Sequence, residues 1–142
     1  MPDVNKDHAS VLNTLARCDG EALKQFADAL LETIEDIDVI ENRTGLVMLP
    51  LRDTVQGTAF HLGEILMSEA HIRMVGQVGY GMRTGRDLEA VMAMAVVDAA
   101  WQAGYATDGI ETFLKGQADA IAVTDTERLR DVEATRVNME TF

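Results

Sequence analysis

A chain of 142 residues, 47% hydrophobic and 25% charged, is long enough to bury one core and too apolar to stay disordered. Its 24 acidic against 12 basic residues give a formal charge of −12, and three lysines cannot supply the clustered cations that phosphate backbones require, so nucleic acid is excluded as a main partner. No apolar run nears the roughly 20 residues of a membrane span, residues 1–18 lack a signal peptide's basic start and apolar block, and Cys18 has no internal disulfide partner; a cytoplasmic chain without a membrane partner is expected.

Residues 7–17 read as a short helix with Val11, Leu12 and Leu15 on one face, and Cys18 reads as a packing residue at its end. In residues 20–34, Leu23, Phe26, Ala27, Leu30, Leu31 and Ile34 recur at spacings of three and four, the pattern of one buried helical stripe. Asp19 is placed to cap that helix. Residues 1–34 therefore form a helical, acid-rich N-terminal part.

From residue 36 the period changes. Residues 36–41 (DIDVIE) alternate polar and apolar, residues 44–51 (TGLVMLPL) are nearly continuous in apolar character, and residues 57–66 place Phe60, Leu62 and Leu66 on one side. Pro50 cannot donate to a strand ladder, which assigns it to a sheet edge or a bulge. Residues 70–75 and 80–84 complete the set around a Gly-rich turn. No helix separates these strands, so residues 36–84 are expected to form an antiparallel meander. For the last hairpin, a clean apolar face results if Arg73 pairs with Arg83 and Met74 with Met82. Ile72, Met74 and Met82 then share one side, and His71, Arg73 and Arg83 the other. That register needs a Gln77-Val78-Gly79 loop with Gly79 in the left-handed region.

Residues 86–103 contain a long helix that is apolar at nearly every position after its first turn, as expected of a helix lying across the sheet and buried on most sides. Asp87 sits where negative charge suits free backbone N–H groups. Residues 104–142 read as a loop marked by Gly104 and Gly109, a final helix opened near residue 125 by the Thr124 and Glu127 capping box, and a docking tail. The tail residues Leu129, Val132, Arg136, Val137, Met139 and Phe142 hold no steady helical period and read as a surface for a neighbour. The fold class expected is α+β, one domain over 1–142. It comprises an antiparallel meander against a long central helix, N-terminal helices, and a C-terminal helical or extended tail.

Segment 71–86 (HIRMVGQVGYGMRTGR) carries three arginines and four glycines and no acid inside this acidic chain. Arg73, Arg83 and Arg86, with Asp87 beside them, form a candidate anion or partner surface; the plainer reading is a charged strand face that answers the acidic N-terminal helices. Gly79, Gly81 and Gly85 lack the parallel strand–loop–helix context of a dinucleotide site. Asp98 is the one charge between Glu89 and Asp108. Burial would raise its pKa toward acid–base use, but hydrogen bonds from an arginine or a loop backbone are its commoner employment. His61 and Glu64 point to opposite faces of a strand and no other His or Cys offers ligand spacing, so neither a metal site nor a catalytic constellation is expected.

The motifs Thr44-Gly45-Leu46-Val47, Phe60 with Leu62-Gly63-Glu64, Ala70 with Arg73, Gly79-Tyr80, Gly85-Arg86-Asp87, Asp98-Ala99 and Thr135-Arg136-Val137-Asn138 occur in an order that resembles the G-subunit family of the bacterial carbon–phosphorus lyase (phosphonate utilisation) system. Two departures stand out: Glu69 replaces an arginine usual in that family, and the ending Met139-Glu140-Thr141-Phe142 is poorer in phenylalanine. The resemblance implies an accessory subunit that works with subunits I, H, J and L. Together they couple an alkylphosphonate such as methylphosphonate to the ribose of ATP, with release of adenine, giving a ribose 1-alkylphosphonate 5-triphosphate. It also implies that ATP is a substrate of the complex, that this chain binds no cofactor, and that the catalytic groups lie on the I subunit. Two other readings stay open: a stand-alone anion-binding or small enzymatic domain using the three arginines, and a homo-oligomer formed by the isolated chain.

Overall fold

Two capped helices open the chain. In α1 (His8–Arg17) the Asp7 carboxylate accepts from the Ser10 N–H at 2.8 Å, and Val11 and Leu15 are buried. In α2 (Gly20–Leu31) the Asp19 carboxylate accepts from the Ala22 N–H at 3.1 Å, as its place in the sequence suggests. The helix stops at Leu31 rather than at residue 34, where Thr33 and Ile34 turn back to the Leu30 and Leu31 carbonyls. The computed structural model describes residues 7–52 and 59–140, with side chains described at 7–48 and 63–135.

The sheet is an antiparallel meander in the order β1-β2-β3, three-stranded, formed by β1 (Ile37–Arg52), β2 (Ala59–Met74) and β3 (Gln77–Thr84). The separate segments 36–41 and 44–51 are thus one strand, and 57–66 and 70–75 are another, with Gly57 and Thr58 outside the described residues. The polar interruptions misled because they pair with each other: Asn42 faces Ala70, Arg43 faces Glu69 and Thr44 faces Ser68. Polarity there marks no turn: Arg43 and Glu69 lie on the face turned to solvent, while Ser68 and Ala70 lie buried on the other face. Pro50 lies on edge strand β1 at a shift in register between Leu49 and Pro50, where its missing N–H does no damage.

The last hairpin corrects the expected register. Val75 and Gly76 form a two-residue turn, both at positive φ (51° and 75°), so Ile72 pairs with Gly79 and Arg73 with Val78. This displacement is odd in residues and therefore reverses the faces. Gly79, Gly81 and Arg83 turn toward the core with Ser68, Ala70 and Ile72, while Tyr80 and Met82 join Glu69, His71 and Arg73 on the other side. The hydrophobic pattern failed here because the core side of β3 carries almost no side chains.

The reason is α3 (Leu88–Gln102), which lies directly on that side. A Cβ built on Gly79 would stand 1.9 Å from the Ala95 carbonyl oxygen, and one on Gly81 would stand 2.3 Å from that of Val91. Ala95, Ala99 and Val91 complete the close approach from the helix, and residues from Ala90 to Ala100 are buried apart from the half-buried Met92. The long apolar helix thus takes the place the sequence assigned it. Its N-cap is Asp87, which accepts from the Ala90 N–H at 3.1 Å.

After a Gly104 turn at φ 70°, α4 (Thr107–Glu140) runs as a single helix of 34 residues. This replaces the expected loop through Gly109 and the start near residue 125. Ile110 and Leu114 are buried and Phe113 stacks on Phe26 at 4.4 Å, so tertiary packing carries the helix through Gly109. Thr124 lies inside the helix and its hydroxyl donates to the Ala120 carbonyl, leaving no capping box. The tail is helical through Glu140, and Phe142 lies outside the described residues.

Candidate functional site

The three arginines singled out by sequence do not meet. Arg83 points inward and is spent on the turn between α1 and α2: its guanidinium donates to the Leu15 carbonyl, to the Cys18 carbonyl at 2.8 Å and to the Cys18 sulfur at 3.7 Å. Those acceptors are the unsatisfied end of α1, so Arg83 closes a helix C-terminus onto the sheet. Arg73 is exposed on the opposite face, and Arg86 is exposed in the bend before α3. Arg83 thus meets the N-terminal helices through their carbonyls and not, as a charged strand face would, through their acids.

Asp87 is likewise tied into the fold. Lys24 donates to it at 2.8 Å while also reaching Glu21 at 3.2 Å. The Lys24 hydrogen bond, then that from the Ala90 N–H, holds the Asp87 carboxyl below its ordinary value; the same contact with Asp87, then Glu21, raises Lys24. Cys18 is buried at the α1 terminus, and burial pushes its thiol up against the opposing pull of Arg83. A thiol in that condition is a packing group, not a nucleophile.

Asp98 is fully buried and has a structural task that its sequence position only half suggests. One oxygen accepts from the Tyr80 N–H and from Gln102 Nε2, each at 2.9 Å, and the other accepts from His8 Nε2 at 2.6 Å. Gln102 also donates to the Val78 carbonyl at 3.0 Å, and the Met82 N–H rests on the Met94 sulfur at 3.4 Å. Side chains of α3 thereby engage three backbone groups of β3, at Val78, Tyr80 and Met82, which hinders further strand pairing there. His8 in turn stacks on Trp101, with ring centres 5.6 Å apart, and fastens α1 to α3.

Two other features have no counterpart in the sequence analysis. An open cleft of about 500 Å³ separates α4 from the end of α1 and the β2–β3 end, lined among others by Arg17, Arg83, Ile121, Asp125 and Arg128. Arg17 is paired there with Asp125 at 2.8 and 3.0 Å. On the sheet face turned away from α3, Glu41, Glu69 and His71 converge, with one donor atom from each within 4.8 Å of the others. Glu69 and His71 stand two apart on one strand, but Glu41 joins them only through the β1–β2 register, which sequence spacing does not give.

Large apolar side chains are exposed near the β2–β3 turn (Val39, Ile40, Val75 and Val78) and at two extremities. β3 covers β2 only from Met67 to Met74, so the rest of β1 and β2 forms a two-stranded arm on which Leu46 and Met48 are 63% and 59% exposed. Near the far end of α4, Leu129 and Val132 are 66% and 62% exposed. The backbone at Arg136, Val137 and Met139 continues the helix. Among the described residues, no helix is long and apolar enough to cross a membrane.

A family model described as "Phosphonate metabolism protein PhnG" matches residues 7–142. A relative from Rhizobium meliloti (strain 1021), named alpha-D-ribose 1-methylphosphonate 5-triphosphate synthase subunit PhnG, is 30% identical over 132 residues, covering 92% of this chain and 85% of the relative.

Proposed function

The chain belongs to the PhnG family of phosphonate metabolism proteins, and from that premise we propose that it is an accessory subunit of an α-D-ribose 1-methylphosphonate 5-triphosphate synthase. The reaction belongs to the assembly. A phosphonate oxygen bonds to C1′ of the ribose of ATP, the C1′–N9 bond breaks, and adenine leaves carrying the proton. ATP is the substrate of the complex, and the groups that expel adenine lie on the I subunit, with H, J and L as the further partners. This chain contributes shape and contact surface and holds no cofactor for that step.

The observation that carries this reading is the apolar surface at both extremities. Two strands without a third are marginal in water, and Leu46, Val47 and Met48 on the arm are exposed. The exposed Leu129 and Val132 repeat the pattern on α4. Such residues become binding anchors when a partner covers them. The stand-alone anion-binding alternative is not favoured, because Arg83 is consumed by backbone carbonyls and Arg73 lies on the other face of the sheet.

Truncation after Arg130 tests the role of α4. The shortened chain should fold, since the buried residues of α4, Ile110 and Leu114, remain, yet it should fail to co-purify with the I subunit. Retained co-purification removes the helix end from the interface. Purified full-length chain, free of partners, should release no adenine from ATP and methylphosphonate; release would overturn the accessory role.

A further inference from the structure

On the sheet face turned away from α3, β1 and β2 bring Glu41 directly opposite His71, with Glu69 two residues along the same side of β2. All three are half-buried, and His71 Nε2 lies 2.9 Å from Glu69 Oε1. Ligand atoms around a tetrahedral ion with bonds near 2.0–2.2 Å stand about 3.3 Å apart. From a spread of at most 4.8 Å, closure requires movement only at the side-chain ends, with the strands fixed.

A cation already stands at this group. Arg43 reaches Glu41 at 3.1 Å and Glu69 at 3.6 Å, and its side chain is 64% exposed, free to withdraw into water. We propose that Glu41, Glu69 and His71 form a binding site for a divalent transition-metal cation of the zinc type, with Arg43 as the counter-ion it displaces. The imidazole nitrogen favours such ions over magnesium or calcium, which prefer oxygen throughout. Exchange of a guanidinium for a dication also neutralises the second carboxylate. Three protein ligands leave a coordination position for water or an anion. Beside it lies a cleft of about 260 Å³ that includes Arg43, Gly45, Met67, Glu69 and Met82. The site is independent of the subunit assignment, since it uses residues that the proposed function does not need.

The test is calorimetric titration of the full-length, chelator-treated chain with Zn²⁺, paralleled by Co²⁺ absorption spectra. One ion should bind per chain, with the intense visible bands of low-coordinate cobalt. His71→Ala and Glu69→Gln should each weaken binding about 100-fold, whereas Arg43→Ala should strengthen it by removing the competitor. All three side chains lie away from the α3 core, and circular dichroism verifies that the variants fold. Zn²⁺ affinity unchanged in His71→Ala, or weakened in Arg43→Ala, would overturn the assignment, as would binding of Zn²⁺ no tighter than Mg²⁺.

Discussion

Among the described glycines, replacing Gly79 with alanine should damage this fold the most. The new Cβ would meet the Ala95 carbonyl oxygen at 1.9 Å and the Ala99 backbone nitrogen and Cβ at 2.8 Å. These obstacles are helix backbone and a methyl group, which cannot rotate aside. To restore ordinary contacts of about 3.4 Å, α3 must retreat by about 1.5 Å. Overpacking of this kind costs about 3 kcal/mol or more when no flexible side chain can yield. The retreat also stretches the 2.9 Å bond from the Tyr80 N–H to buried Asp98, adding about 1 kcal/mol. At about 3 °C per kcal/mol for a chain of this size, the thermal midpoint should fall by about 12 °C. Gly116→Ala is the matched control: it lies inside α4 with nothing within 4 Å, and should gain up to about 1 kcal/mol from helix propensity. Thermal unfolding followed by circular dichroism, with urea titration alongside, reads both. A Gly79→Ala protein melting within about 2 °C of the parent would refute the direct seating of α3 on β3.

Arg83→Lys should lower stability by about 2–3 kcal/mol in urea unfolding, because a single ammonium cannot serve the Leu15 and Cys18 carbonyls together; an unchanged midpoint would remove Arg83 from the structural role. Lys24→Met should reveal a pH window. Asp87 is held low and Lys24 high, so their link contributes above the unfolded carboxyl value of 3.8, fading as pH falls through the lower folded value. At the alkaline end it is complete below the unfolded ammonium value of 10.5 and fades as pH rises through the higher folded value. The stability difference between parent and variant should therefore be flat from mildly acidic to mildly alkaline pH and shrink at both ends; a difference that grows on acidification contradicts the pairing. Cys18, buried and with its thiol pushed up, should react with a disulfide reagent at mildly alkaline pH only after denaturant is added. Rapid labelling of the native chain would show that the α1 terminus opens.

Periodicity and capping chemistry are local, and the sequence revealed what depends on them. Asp19 and the three-and-four spacing placed α2, the near-continuous apolar run placed α3, and the absence of intervening helices made the sheet antiparallel. Motif order carried the family, which the match over residues 7–142 shows. Register is not local. Which residue of β3 faces Ile72 was decided by the Val75-Gly76 turn and by a helix that tolerates only glycine beneath it, and that choice sent Arg73 and Arg83 to opposite faces. The separate β1–β2 register brought Glu41 opposite His71 and joined the polar interruptions into long strands. A side-chain pattern states which positions want burial; only the packed partner states how closely backbones approach, and here an empty position took the place of an apolar one.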